Sequence, residues 1–217
     1  MQRCIYCNCE KLYTLGGGYK KCASCRRKFS PKKIACHARL LESFCRGESA
    51  TETAKKYGMY YARVHKKFME FRYSVACHAQ SEFNGNLSRV EEYEEYIYLP
   101  ICKRRNIEEL YGSYDILIFD YGTKIYTTLI RVEKRYNVHN SEPKELKKLF
   151  TNKKIAKLRS RENKIALFID FFEERMALFR GVGKEQFFYY LKECEFFFNY
   201  DEAQREAILQ KARTHMP

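Results

Sequence analysis

The feature that most restricts what this chain can become is a matched set of cysteines near its start, Cys4-Ile-Tyr-Cys7 and Cys22-Ala-Ser-Cys25, with 14 residues between the two pairs. A two-residue gap lets both thiolates of a pair face one ion, and two such pairs complete a tetrahedral four-sulfur shell. That shell leaves no open coordination position, so it holds structure and does no catalysis. Residues 1–30 have few apolar side chains, and metal binding would supply the folding free energy that so small a core lacks. Cys4, Cys7, Cys22 and Cys25 are therefore the expected ligands of one structural Zn2+. Cys9 is a nearby competitor for the place of Cys7, which is preferred because it keeps the two-residue gap. A redox reading is weaker, because neither pair precedes a helix in a β-α-β pattern.

Between the pairs stands Gly16-Gly17-Gly18, where a short hairpin must turn. With this turn the segment resembles a zinc ribbon. The remaining cysteines among the ten are scattered, at Cys36, Cys45, Cys77, Cys102 and Cys194, and read as free thiols. Met1–Glu10 lacks the apolar core of a secretory signal, and no segment approaches the roughly 18 uninterrupted apolar residues of a membrane span. A cytoplasmic, nucleoid-associated protein with no membrane partner is expected.

The charge is uneven. Lys plus Arg number 41 against 27 Asp plus Glu, a formal net of +14, and residues 1–80 hold 17 of the former with 5 of the latter. The front of the chain thus carries +12 and the remainder only +2. A field of this kind favours polyanionic partners and makes association salt-sensitive.

Residues 31–80 read as three helices. Pro31 follows Ser30 as a helix opener, and Ile34, Leu40, Leu41 and Phe44 form an apolar stripe ending at Gly47. Ser49-Ala-Thr-Glu52 is a capping-box pattern for a short helix from Ala50 to Tyr57, stopped by Gly58. In a third helix from about Tyr60, a 100° period puts Tyr60, Val64, Phe68 and Phe71 toward the core. Arg63, His65 and Lys66 then point outward, with Tyr61 and Lys67 on the flanks. This is the layout of a helix-turn-helix, whose last helix enters the DNA major groove. Arg and Lys reach guanine edges or phosphates, His bonds to either, and Tyr meets a thymine methyl or a phosphate. A three-helix bundle with a merely solvated basic face is the bland alternative.

From residue 81 onward the texture changes. Ser88 to Leu99 reads as a strand, and Tyr114–Asp120 and Lys124–Val132 as two more joined by Tyr121-Gly122-Thr123. A basic loop, Lys103-Arg104-Arg105, precedes them. Helices are expected from Ser141 to about Leu158, then through Ile165, Phe168, Ile169, Phe172, Met176 and Phe179 up to Gly181. Phe187, Leu191, Cys194 and Phe198 define another, and Asp201 can cap the last, which runs through Arg213.

Ile165-Ala-Leu-Phe-Ile-Asp-Phe-Phe-Glu-Glu-Arg-Met-Ala-Leu-Phe-Arg-Gly-Val182, the helix after it, and Glu92-Tyr-Glu-Glu-Tyr-Ile-Tyr98 resemble parts of the ISXO-like insertion-sequence transposases. That family joins a zinc ribbon and a helix-turn-helix to an RNase H-like DDE nuclease domain. The resemblance spans nearly the whole chain. It implies an α+β fold: a zinc ribbon in 1–30, a DNA-binding helix-turn-helix in 31–80, and a shortened RNase H-like domain with C-terminal helices in 81–217.

DDE chemistry needs three carboxylates converging on two Mg2+ ions. By the resemblance, Glu94 stands where the first Asp is expected and is a remnant at most. No hydrophobic strand ending in Asp lies between Glu133 and Asn163, and Ala166 occupies the place of the third acid. No nuclease activity is therefore expected, although Asp115, Asp120, Asp170 and Glu173 are substitute acids nearby. The functional expectation is a zinc-containing, sequence-specific binder of double-stranded DNA, derived from a transposase and acting as a transcriptional regulator. A homodimer through the Phe187 to Phe198 helix is a further expectation. One rival is a divergent, active transposase that uses Mg2+ to cleave DNA and transfer strands. Another is a protein-interaction module built on the zinc ribbon.

Overall fold

A computed structural model of the chain describes residues 3–100, 113–130, 163–179 and 181–214. Among these residues the fold is mixed α+β, with two separate three-stranded sheets. It divides into two compact units, Met1–Phe71 and Arg72–Pro217.

In the first unit, β1 (Leu12–Thr14), β2 (Lys20–Cys22) and β3 (Lys28–Phe29) form a small antiparallel sheet. Gly17 and Gly18 turn the chain between β1 and β2 at φ 70° and 75°, a backbone that favours glycine. Leu12, Cys22 and Phe29 face inward, where Ile34 packs against them. Ile34 belongs to α1 (Pro31–Cys45), which opens as expected with Pro31 in the first turn and the Ser30 hydroxyl accepting from Lys33 N at 3.4 Å. The other end of α1 supplies Leu40, Leu41 and Phe44 to the main core of this unit.

Next, α2 (Ala50–Tyr57) begins with a complete capping box. Ser49 Oγ accepts from Glu52 N at 3.1 Å, and Glu52 Oε2 accepts from Ser49 N at 2.9 Å. Gly58 ends it in the left-handed region at φ 61°. α3 (Tyr61–Asn84) follows at once. Its Val64, Phe68 and Phe71 are buried, and Phe44 meets the rings of Phe68 and Phe71 at 5.2 and 5.4 Å.

Tyr60 departs from the expected stripe, being 87% exposed. It stands just before α3, and its carbonyl accepts from Arg63 N and Val64 N. The helical period cannot be extended to a residue that has not yet entered the helix.

The second unit holds β4 (Glu92–Tyr98), β5 (Tyr114–Asp120) and β6 (Ile125–Leu129), antiparallel in that order. β4 starts later than expected, because Leu87–Arg89 forms a short 3-10 turn where Ser88 was to open the strand. α4 (Lys164–Leu178), α5 (Lys184–Asn199) and α6 (Glu202–Thr214) complete the described chain. α4 buries the expected Ile165, Phe168, Ile169, Phe172 and Met176, and both α4 and α5 pack on the sheet. Asp201 caps α6, accepting from Gln204 N at 2.8 Å while its own N–H donates to Gln204 Oε1 at 3.1 Å. The loop Lys103-Arg104-Arg105, the helix expected from Ser141 to Leu158 and most of the stretch from Glu133 to Asn163 lie outside the described residues.

α5 does more than cover a face. Asn199 Oδ1 accepts from Ile125 N at 2.9 Å, its Nδ2 donates to Ile125 O at 2.6 Å, and Glu195 Oε2 accepts from Thr127 N at 2.8 Å. Four helical residues rise about 6 Å and two strand residues about 6.6 Å, so this i, i+4 pair matches alternate positions of the outer strand. The side chains of α5 thereby satisfy backbone groups of β6 that would otherwise form an open edge.

Candidate functional site

The sulfur atoms of Cys4, Cys7, Cys22 and Cys25 all lie within 4.8 Å of one another. The closest approaches are Cys4 to Cys25 at 3.6 Å and Cys7 to Cys22 at 3.5 Å. Both join one pair to the other, and both far exceed the roughly 2.05 Å of a disulfide. A tetrahedron with metal–sulfur bonds of about 2.3 Å has edges of about 3.8 Å, so the four sulfurs fit a single ion with little adjustment. Cys4 and Cys22 are buried, Cys25 is half-buried and Cys7 is exposed.

The two halves of the cluster repeat one backbone pattern. Cys4 N donates to Cys9 O at 2.8 Å, and Cys22 N donates to Arg27 O at 3.1 Å, five residues on in each case. The residue after the second cysteine is left-handed in both, Asn8 at φ 61° and Arg26 at φ 57°. The backbone N–H groups of Cys9 and Arg27 then point back at the sulfurs of Cys7 and Cys25. Cys9 thus joins the site through its main chain, while its own sulfur lies 3.9 Å from Lys11 O. This pattern was invisible in the sequence, because neither left-handed position carries the glycine that would have marked it.

The electrostatics of the cluster call for a cation. The Cys9 N–H and the Cys22 thiol lower Cys7 to about 6. At Cys25 the Arg27 N–H also favours the thiolate, but burial and the three neighbouring sulfurs outweigh it and push the thiol up to about 12. The first proton leaves easily and the last does not, as expected where negative charges crowd together without compensation.

On α3 the expected DNA-facing residues divide. Tyr61, Arg63 and Lys66 are exposed, with Tyr61 at 51%. His65 is half-buried and stacks on Tyr61, ring centroids 5.5 Å apart. Lys67 is also half-buried; it donates to Glu70 at 2.6 Å and lies 5.4 Å from the Phe71 ring. Beneath this face, Val64, Phe68 and Phe71 fix the helix to the core.

In the second unit, Glu94 is exposed on β4 in register with Ile118, and Ala166 is buried in the first turns of α4. Neighbours of Glu94 on the same strand face are already engaged: Glu92 Oε2 accepts from Asn163 at 2.7 Å, and the Tyr96 hydroxyl donates to Glu173. Asp120 is buried and paired with Lys164 at 2.9 Å. Among the described residues, the cysteine cluster is the only group of three or more His, Cys, Asp or Glu side chains spaced to hold a metal ion. Phe187, Leu191 and Cys194 are buried in this unit's own core, and the Phe198 ring sits 5.3 Å from that of Phe168. No helix among the described residues is long and apolar enough to cross a membrane. Compared with family models, curated proteins and solved structures, the chain matches none.

Proposed function

We propose that this chain is a zinc-containing protein that binds double-stranded DNA in a sequence-specific way, derived from a DDE transposase and acting as a transcriptional regulator. The observation that carries the reading is the exposed pair Arg63 and Lys66, flanked by the exposed Tyr61, on a helix whose opposite face is locked into a core. A capped α2 and a left-handed Gly58 lead directly into that helix. In a helix-turn-helix such a face lies in the major groove, where Arg and Lys read guanine and Tyr contacts thymine or phosphate. His65 would hold the Tyr61 ring in place, and Lys67, tied to Glu70, would contribute mainly to the local field.

Zinc is the metal that four thiolates in a closed tetrahedral shell favour, and when bound it supplies folding free energy to the small sheet. The RNase H-like relationship rests on the three-stranded antiparallel β4–β6 sheet with helices packed on it, and on the sequence resemblance. With Glu94 exposed and Ala166 at the third position, the chain would bind DNA without cutting it. The protein would then be nucleoid-associated, with any self-association using surfaces other than the buried side of α5.

Selection from a random duplex library tests the reading directly. Zinc-loaded protein should enrich one motif. Arg63→Ala or Lys66→Ala should then weaken binding to it by about 1–3 kcal/mol for a side chain that reaches a base edge. Failure to enrich any motif, or unchanged isotherms for both variants, would overturn it. Cleavage of the selected duplex in Mg2+ or Mn2+ would point instead to an active transposase.

A further inference from the structure

The two faces of the β1–β3 sheet are unlike. One is the inner face that carries Leu12, Cys22 and Phe29 toward the sulfur cluster and Ile34. On the other, register decides what stands together: Tyr13 pairs with Lys21, and Lys21 with Lys28. These three side chains form one row across all three strands. Tyr13 is 52% exposed, Lys28 is exposed and Lys21 is half-buried.

The hydrogen bond from Cys22 N to Arg27 O makes those two residues a bonded pair. Lys21 and Lys28, one step along, are therefore a non-bonded pair, the closer kind, with Cα atoms about 4.5 Å apart. Like charges directly opposite one another destabilise a sheet. Among the described residues neither lysine has a carboxylate partner, and the one acidic side chain before residue 42, Glu10, is taken by Arg3 at 2.6 Å. From Lys11 to Leu41 the chain has nine Lys and Arg and no Asp or Glu. Two cations held at the closest cross-strand spacing, with no acid to balance them, are complementary to a regularly spaced polyanion.

We infer that the Tyr13–Lys21–Lys28 row is a second DNA contact, on which the sugar–phosphate backbone of a duplex lies. Lys21 and Lys28 neutralise neighbouring phosphates, and the Tyr13 hydroxyl donates to a phosphate oxygen. The inference rests on the DNA-binding reading and extends its footprint beyond α3. A duplex is favoured over a single strand because single-strand sites stack successive bases on several aromatic rings, and this row has one. Both surfaces belong to one body. α1 packs Ile34 against the sheet's inner face, and its His37 and Phe44 lie 5.3 and 5.4 Å from the Phe71 ring of α3.

The test is the salt dependence of duplex binding by the full, zinc-loaded chain, measured by fluorescence anisotropy on a random-sequence duplex. Each neutralised phosphate contributes about 0.9 to the slope of log K against log salt, so Lys21→Gln with Lys28→Gln should flatten it by about 1.8. The Lys21→Arg, Lys28→Arg pair should keep the wild-type slope. Removal of two charges elsewhere, by Lys184→Gln with Lys211→Gln, should also leave it unchanged. The Gln pair should bind zinc one-to-one and melt no lower than wild type, because a repulsion has been relieved.

An unaltered slope in the Gln pair would overturn the inference while leaving α3 as the DNA reader. So would an equal flattening in the control pair, or a lower melting point in the Gln pair. Absence of duplex binding by the wild type at low salt, whether or not an acidic protein partner binds, would remove the inference and the DNA-binding reading together.

Discussion

Cys7 and Cys9 are two residues apart and both near the cluster, yet only Cys7 turns its sulfur toward the other ligands, while Cys9 offers a carbonyl to Cys4 and an N–H to Cys7. Cys9→Ser keeps both main-chain contacts, so it should retain one zinc per chain; Cys7→Ser should lose tight binding. Metal analysis of the two purified variants decides this, and the opposite result would exchange the ligands. The same cluster sets a pH dependence. Zinc needs all four sulfurs as thiolates, so protons compete with it and affinity should fall as the pH is lowered. The Cys9 N–H holds the Cys7 thiol down toward neutrality, whereas burial and the neighbouring sulfurs push Cys25 up, so that its thiolate needs the cation. Competition with a chromophoric chelator between about pH 8 and about pH 5 should show steadily weaker binding toward acid. A flat profile would be inconsistent with four thiolate ligands.

Among the elements, α2 is only eight residues long and relies on its ends. Ser49→Ala removes one half of the capping box and should cost about 1 kcal/mol in a urea titration. Gly58→Ala should cost about 1–2 kcal/mol for a different reason: an added Cβ meets nothing within 4 Å, so the penalty is the left-handed φ of 61° itself. Both ends were legible in the sequence because caps are local, decided by residues three or four apart. The joint between α5 and β6 was not. Asn199→Leu would strand the N–H and carbonyl of Ile125 and should destabilise the second unit by about 2–4 kcal/mol. A loss below 0.5 kcal/mol, a rough threshold for ordinary surface substitutions, would mean that water replaces the amide at an open edge.

Across the whole molecule, charge is used in two ways. In the first unit it is concentrated and exposed. In the second, Arg72 and Arg175 converge on the buried Glu193 at 2.5 and 2.9 Å, and Lys192, fully buried, donates to Glu195 at 2.8 Å beneath the Tyr126 ring. Glu193→Gln leaves two guanidinium groups without their counter-charge and should cost about 3–5 kcal/mol. A further cluster joins His78, Glu82, Lys124 and Tyr200. Burial, with Lys124 adding to it, holds the His78 imidazole below its usual range against the pull of Glu82. A histidine whose pKa is depressed on folding binds fewer protons folded than unfolded. Its contribution is therefore intact above about 6.5 and is lost as the pH falls through the folded value. The drop in urea midpoint between neutral and mildly acidic buffer should be smaller in His78→Gln than in wild type.

What the sequence determined by itself was whatever short-range chemistry controls: the four-cysteine spacing, the caps at Ser30, Ser49, Gly58 and Asp201, and the buried stripes of α1, α3 and α4. Each depends on residues within a few turns of one another, whose geometry is set by the period of the element. Only the tertiary structure decided that Lys192, Glu193 and Glu195 are interior. On a helix they look like solvent-facing charges, and their partners Arg72 and Thr127 lie 121 and 68 residues away from Glu193 and Glu195. It also decided that Tyr13, Lys21 and Lys28 share a row, since the register of separate strands comes from their pairing and the turns between them. Local propensity does not encode either relation, because both come from packing distant segments together.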